Sequence, residues 1–195
     1  EIRINDKLGV NYGVRLSSWS NIGKAYEFTF NDNGFPSDTV FFDKGESYKQ
    51  FFNIEPRVTI SYFANDHASL KAGFSRNIQN VHLISNSISP FTSLDVWLPS
   101  SFNIEPQSSN QFSLGYYHHI PSRSISFSAE AFYKKMWNQI DYEPHAQILL
   151  NPYLESELEF GTARAYGLEL LAKKDDGWLT GWVGYTWSRA KRIFP

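Results

Sequence analysis

The chain has 195 residues, a formal net charge of -2 and 19% charged side chains, so it lacks the basic excess typical of nucleic-acid binding. It contains no cysteine, which excludes disulfides, thiolate catalysis and cysteine-based zinc or iron–sulfur sites. Aromatic residues make up 17% of the chain although its mean hydropathy is -0.40, and no run approaches the roughly 18 apolar residues of a transmembrane helix.

Seven segments alternate apolar and polar residues, which is the period of a β-strand because successive strand side chains point to opposite faces. The first segment, residues 7–17, carries Leu8, Val10, Tyr12, Val14 and Leu16 on one face. The next four are approximately residues 52–63, 68–76, 110–119 and 124–134, and the last two are the arms of a hairpin within residues 163–191. The sequence therefore predicts an all-β, antiparallel fold.

The connections between these strands alternate strictly between short and long. Residues 64–67, 120–123 and 174–177 are tight turns rich in turn-forming residues. Residues 18–51, 77–109 and 138–162 are long links. In an up-and-down meander every second connection lies at the same end, so we expect the three long links at one rim and the tight turns at the other.

Either a protein core or a lipid bilayer could cover the apolar faces. A soluble β-sandwich or a lipocalin-like barrel explains the alternation equally well. The one-sided long links and the aromatic residues near strand ends favour an outer-membrane barrel, which has aromatic girdles at both interfaces. From Ile125 to Tyr133, eight steps of about 3.3 Å tilted by about 45° span roughly 19 Å along the barrel axis, which is compatible with the apolar band of such barrels.

Three stretches resemble consecutive hairpins of TonB-dependent outer-membrane receptors. They are "FNIEPRVTISYFANDHASLKAGFSRNIQNVHL", "SFNIEPQSSNQFSLGYYHHIPSRSISFSAEAFYKKMWNQIDY" and "ARAYGLELLAKKDDGWLTGWVGYTWSRAKRIF". The shared elements are Glu-Pro-Arg before a strand, an Asn-Asp turn, a Leu-Gly-Tyr strand, and the Tyr-Gly-Leu-Glu and Gly-Tyr-Thr-Trp-Ser elements. The resemblance covers nearly the whole chain and is nearest to receptors of the Bacteroidetes type.

The resemblance implies an antiparallel transmembrane β-barrel of 22 strands, of which this chain would supply about seven. Residues 1–195 would belong to one barrel domain, while the N-terminal plug domain, the TonB box and the remaining strands lie outside this sequence. The expected location is the outer membrane of a Gram-negative bacterium. The polar face, which carries Glu55, Arg57, Lys71, Glu130, Lys134 and Glu169, would line a wet lumen.

The implied function is active import of a scarce nutrient such as a siderophore, cobalamin, a glycan or a peptide. The implied partners are membrane lipid, the plug domain, the TonB complex, the nutrient and a surface lipoprotein, with no nucleic acid. A soluble all-β ligand- or carbohydrate-binding module is the alternative, and a membrane-barrel enzyme comes third.

No pattern in the sequence indicates catalysis, a cofactor or a metal site. His118 and His119 are adjacent on a strand and point to opposite faces, so they cannot chelate one ion together. No His-Glu-x-x-His, Gly-x-Ser-x-Gly or phosphate-loop motif occurs. We therefore predict a non-enzymatic, cofactor-free protein that binds its substrate through the long links. The candidate contact residues there are Trp97, His82, Tyr142, His145 and Tyr153.

Overall fold

The computed structural model describes residues 2–31, 34–89 and 92–195, and their side chains except those of 85–89 and 92–94. The described residues form twelve strands: β1 (Ile2–Asn5), β2 (Leu8–Ile22), β3 (Ala25–Phe30), β4 (Pro36–Phe42), β5 (Ser47–Asn65), β6 (Ala68–Gln79), β7 (Val81–Ser89), β8 (Thr92–Pro99), β9 (Gln107–Ile120), β10 (Ile125–Tyr142), β11 (Leu158–Lys174) and β12 (Gly181–Ile193). Short 3-10 turns lie at Pro121–Arg123 and Leu154–Glu157.

The main body is one antiparallel sheet of eight strands in the order β1-β2-β5-β6-β9-β10-β11-β12. Every predicted strand is present, and each strand lies beside its predicted neighbour, which confirms the all-β meander. The sheet is open at β1 and at β12 in the described part of the chain. Strand β1 is an addition to the prediction: its four residues alternate apolar and polar, but a segment of four residues is too short for this alternation to be distinctive.

The register places the predicted apolar residues of all seven strands on one continuous face. One row of directly paired residues runs Val10, Ile60, Ala72, Leu114, Ala131, Leu168 and Trp187 across the sheet. The neighbouring rows on this face are equally apolar: Phe74 pairs with Phe112 and their rings lie 4.9 Å apart. We call this surface the apolar face, and the opposite surface, where Glu130 pairs with Glu169, the polar face.

The connections alternate as predicted. The short ones comprise residues 66–67, 121–124 and 175–180, and the long ones carry their own structure. The first long link contains the hairpin β3–β4, the second contains β7–β8, and the third ends in the turn Leu154–Glu157. The third short connection is longer than predicted, so Leu179 precedes β12 instead of belonging to it.

In the part of the chain that the structure describes, the sheet has no core of its own. Among the described side chains, the buried apolar cluster is small, and it lies at the long-link end, where Ile84, Ile104, Ile140 and Leu158 pack together. By contrast, residues of the apolar face such as Leu114 and Tyr185 are more than half exposed. No helix among the described residues has the length and apolarity needed to cross a bilayer.

Candidate functional site at the long links

A polar network joins the three long links to one another. Asn103, which follows β8, donates from Nδ2 to the backbone carbonyl of Phe28 in β3 at 2.9 Å and to the carboxylate of Glu155 at 2.6 Å. The other carboxylate oxygen of Glu155 accepts from Ser101 Oγ at 2.9 Å. One side-chain amide thus touches all three links, which holds them in a single arrangement at this end of the sheet.

A second set of contacts ties the second link to the first. Asn21, at the end of β2, donates to the carbonyl of Ser100 at 2.8 Å and accepts from the indole nitrogen of Trp19 at 2.5 Å. The Oγ of Ser100 lies 3.1 Å from Nε2 of His82. These groups are largely buried, so their hydrogen bonds replace those they would make with water.

Aromatic rings complete the packing between the links. Phe28 meets Tyr153 edge to face with ring centroids 5.0 Å apart. Phe42 stacks on Tyr48 at 4.5 Å, and Phe102 lies parallel to both at 6.2 Å. Lys49 places its ammonium group 5.2 Å from the centroid of Phe102, a distance at which the cation is attracted to the ring face.

The predicted contact residues divide into accessible and enclosed groups. Trp97 is 65% exposed, His145 is exposed, and Tyr153 is 37% exposed although its ring packs on Phe28. His82 is 1% exposed, and Tyr142 packs against the apolar cluster with its hydroxyl buried. The first three can meet a ligand directly, whereas His82 and Tyr142 hold the links together in this conformation.

Burial changes the acid–base behaviour of two groups in the links. The pKa of Glu27 is raised, first by burial and further by the nearby Glu155 carboxylate, while a hydrogen bond from Tyr48 acts in the opposite direction. The pKa of His82 is lowered because burial disfavours its charged form. His82 is therefore neutral at physiological pH and suited to packing within the links.

Metal-binding geometry is not found among the described residues, where no three His, Cys, Asp or Glu side chains converge. His118 pairs with Phe127 on the apolar face, and His119 pairs with Ser126 on the polar face. His119 Nδ1 lies 3.0 Å from Ser126 Oγ. The two histidines thus occupy opposite faces, as the strand period predicts.

An open antiparallel sheet with one apolar and one polar face, short turns at one end and structured links at the other defines a segment of a transmembrane β-barrel wall. The family model described as TonB dependent receptor-like, beta-barrel matches residues 1–194. The chain belongs to this family, which confirms the resemblance to TonB-dependent receptors and locates the chain in the outer membrane of a Gram-negative bacterium. A search of curated protein sequences returned no match.

Two solved structures have the same fold. The alcaligin outer-membrane receptor FauA of Bordetella pertussis aligns with a TM-score of 0.57 and 18% identity over 98% of this chain and 28% of its own. The ferric-catecholate import receptor Fiu of E. coli K12 aligns with a TM-score of 0.58 and 13% identity over 97% of this chain and 26% of its own. The chain therefore spans about a quarter of the length of these receptors.

Sequence reasoning did not find the residues that organise the long links. Asn103, Glu155, Asn21 and Ser100 are ordinary polar residues in segments without periodicity, and each finds its partner 50 or more positions away in the chain. One local signal is the pair of apolar residues Phe102 and Ile104 in "SFNIEP", of which Ile104 proves to be 0% exposed and Phe102 46% exposed.

Proposed function

We propose that this chain is part of the wall of a TonB-dependent active importer that captures a scarce nutrient with its long links. The observation that carries the proposal is the family match over residues 1–194, together with the clustering of the three long links at one end of the sheet. The proposal includes a plug domain inside the barrel and energy supplied through TonB, and it includes no enzymatic step.

The orientation follows from the same asymmetry. Transmembrane barrels have short periplasmic turns and longer extracellular loops. We therefore place residues 66–67, 121–124 and 175–180 in the periplasm and the hairpins β3–β4 and β7–β8 outside the cell. The accessible rings of the long links then face the medium, where nutrient capture occurs.

The capture surface that we propose includes Trp97, His145 and Tyr153. Trp97 and Tyr153 offer ring faces, and the imidazole of His145 offers a donor and an acceptor. His82 and Tyr142 support this surface from behind. The two similar solved receptors are named for alcaligin and for ferric catecholate, so these two are the first cargoes to test, ahead of cobalamin, a glycan or a peptide.

The test compares two tryptophans at opposite rims of the full-length receptor. Trp97→Ala removes a ring that is 65% exposed among the long links, and Trp178→Ala removes one that is 95% exposed within the short connection of residues 175–180. If Trp97 is a central contact, we expect its loss to weaken cargo binding about tenfold or more. Trp178→Ala should leave the affinity unchanged.

The readout is the cargo affinity of purified receptor, together with uptake by cells with and without TonB. Uptake that does not depend on TonB would contradict the importer proposal. Equal affinities of the two variants and the unmodified receptor would remove Trp97 from the capture surface while leaving the importer role intact.

A further inference from the structure

A row of cations crosses the apolar face immediately beyond its aromatic residues. Directly paired residues run Arg76, Asn110, Lys135, Arg164 and Lys191 over five neighbouring strands, and Arg189 pairs with Tyr166 one row below. Four steps of about 4.8 Å between strands give the row a length of roughly 19 Å. Strand alternation places the row on the same face as Phe74, Phe112, Tyr133 and Tyr166.

Contacts confirm this placement at one point of the row. Lys135 lies with its ammonium group 5.0 Å from the centroid of Trp137, two residues further along the same face. We call Arg76, Lys135, Arg164, Arg189 and Lys191 the outward basic row.

No acidic side chain of the described wall strands accompanies this row. On β6, β9, β10, β11 and β12 the acids are Glu130, Asp141, Glu159 and Glu169. The strand period places Glu130, Glu159 and Glu169 on the polar face, and the register shift between Met136 and Gln139 brings Asp141 to the same face, opposite Glu159. Within the described residues, the ion pairs include none of the five cations. Arg192 on the polar face, by contrast, lies 3.7 Å from Asp141.

Without nearby anions, the cations of this row destabilise the folded barrel through mutual repulsion. Lys135 lies directly opposite Arg164, and Arg164 directly opposite Lys191, and like charges in such cross-strand pairs repel each other. A single lysine at a membrane interface reduces the free-energy cost of its charge by extending its amine into water. Lys135, Arg164 and Lys191 are direct neighbours, so each also raises the electrostatic energy of the others. Glu105, just before β9, lines the same cavity as Arg76. No acidic side chain of the described strands faces Lys135, Arg164 or Lys191, so an anion from outside the chain would relieve the repulsion among these three cations.

We propose that the outward basic row binds a phosphate-bearing lipid of the outer leaflet. The phosphates would lie between neighbouring guanidinium and ammonium groups, which recognise phosphate oxygens through charge-assisted hydrogen bonds. The acyl chains would extend along the apolar face below, over Phe112, Tyr133 and Leu168. The inference rests on the proposed function in one respect, namely that the long links face outside the cell.

The position of the row favours a lipid over a free ion or a protein. Charge and apolar surface are contiguous: the aromatic row and then the aliphatic row through Leu114 follow directly below the cations. A free phosphate ion would contact only the cations and would gain no binding free energy from the apolar surface below them. A lipid with anionic groups and acyl chains uses both surfaces at once.

The experiment is a titration of the purified full-length receptor in nonionic detergent with diphosphoryl lipid A. The test variant carries Arg76→Gln, Lys135→Gln, Arg164→Gln and Lys191→Gln, and the control carries Arg3→Gln, Lys7→Gln, Arg123→Gln and Lys173→Gln at the opposite end of the strands. Both variants lose four positive charges. We expect the dissociation constant to rise about tenfold or more in the test variant and to change less than about twofold in the control.

Two further arms identify the ligand. Lipid A with both phosphates removed should bind the unmodified receptor as weakly as the test variant binds the intact lipid. Inorganic phosphate should compete only far above the concentration at which the lipid binds. Equal binding of the dephosphorylated lipid, effective competition by inorganic phosphate, or unchanged affinity of the test variant would each overturn the proposal.

Folding is checked by the electrophoretic mobility of unheated samples. If the fourfold variant does not fold, Lys135→Gln with Arg164→Gln alone should raise the dissociation constant about threefold, and no rise would overturn the proposal. The titration needs neither TonB nor cargo. If the receptor does not bind the lipid but takes up its cargo normally, this lipid site is refuted and the importer role stands. If the receptor binds the lipid but shows no TonB-dependent uptake, the importer role is refuted and the lipid site stands.

Discussion

Ala129 and Ser128 are neighbours on β10 that test which face of the sheet meets lipid. Ala129 pairs with Tyr116 and Leu170 on the apolar face, and Ser128 pairs with Tyr117 and Leu171 on the polar face. Both side chains are small, so arginine at either position adds a similar volume and the same charge. The two substitutions differ in the side of the wall to which the new guanidinium group points.

The cost can be estimated from the depth of Ala129 in the apolar band. It lies four residues from Tyr133 and two from Phe127, which at about 3.3 Å per residue and a tilt of about 45° is roughly 9 Å and 5 Å along the barrel axis. The position is thus well inside the band. Arginine near a bilayer midplane costs about 2 to 4 kcal/mol, or roughly a 30- to 700-fold change in the folding equilibrium.

The assay is reversible urea unfolding of the full-length receptor in phospholipid vesicles, followed by tryptophan fluorescence. We expect Ala129→Arg to lower the free energy of unfolding by about 2 to 4 kcal/mol and Ser128→Arg to change it by less than about 1 kcal/mol. A larger loss for Ser128→Arg than for Ala129→Arg would refute the assignment of the two faces. Tolerance of arginine at Ala129 would refute lipid contact at this position.

Three other predictions concern orientation and the long links. On intact cells, cysteine introduced at Trp97 should react with an impermeant thiol reagent and cysteine at Asp176 should not, whereas the reverse pattern would invert the proposed topology. Because burial raises the pKa of Glu27 in the folded links above its usual value of 4.5, its stabilising contribution is present below that value and is lost as pH rises through the folded pKa. Protease cleavage of the links should therefore be slower at pH 4.5 than at pH 7, and Glu27→Gln should reduce this difference; an unchanged difference would exclude Glu27 as its source. Asn103→Ala removes the bonds to Phe28 and Glu155 and should destabilise the link arrangement by about 1 to 3 kcal/mol, measured by hydrogen exchange of β3 against unchanged exchange in β10.

The wall of the barrel was predictable from the sequence because its pattern is local. The face on which Leu114 lies can be inferred from Phe112 and Tyr116, which are two positions away and also apolar. The same alternation holds along each strand. The pairs β5–β6, β9–β10 and β11–β12 were predictable because short turns allow only antiparallel neighbours, and the pairs across the long links followed from the assumption of an up-and-down meander. Strand β1 and the delayed start of β12 escaped prediction, since strand ends depend on pairing with a neighbour more than on local composition.

The arrangement of the long links was not predictable, because their contacts are distant in sequence. Nothing local distinguishes Asn103 from other asparagines, yet its amide meets Phe28, 75 positions earlier, and Glu155, 52 positions later. The proposed contact residues illustrate the same limit. Sequence grouped His82 with Trp97 as loop residues, and the structure buries the first and exposes the second.

The outward basic row shows where sequence and tertiary structure divide. The sequence by itself determines that Lys135 and Arg164 lie on apolar-facing positions of their strands, because alternation depends only on backbone geometry. Only the register of the sheet decides that they lie opposite each other, in line with Arg76 and Lys191. A slip of one residue would send one of these cations to the lumen, so the charge density of the row is a property of strand pairing.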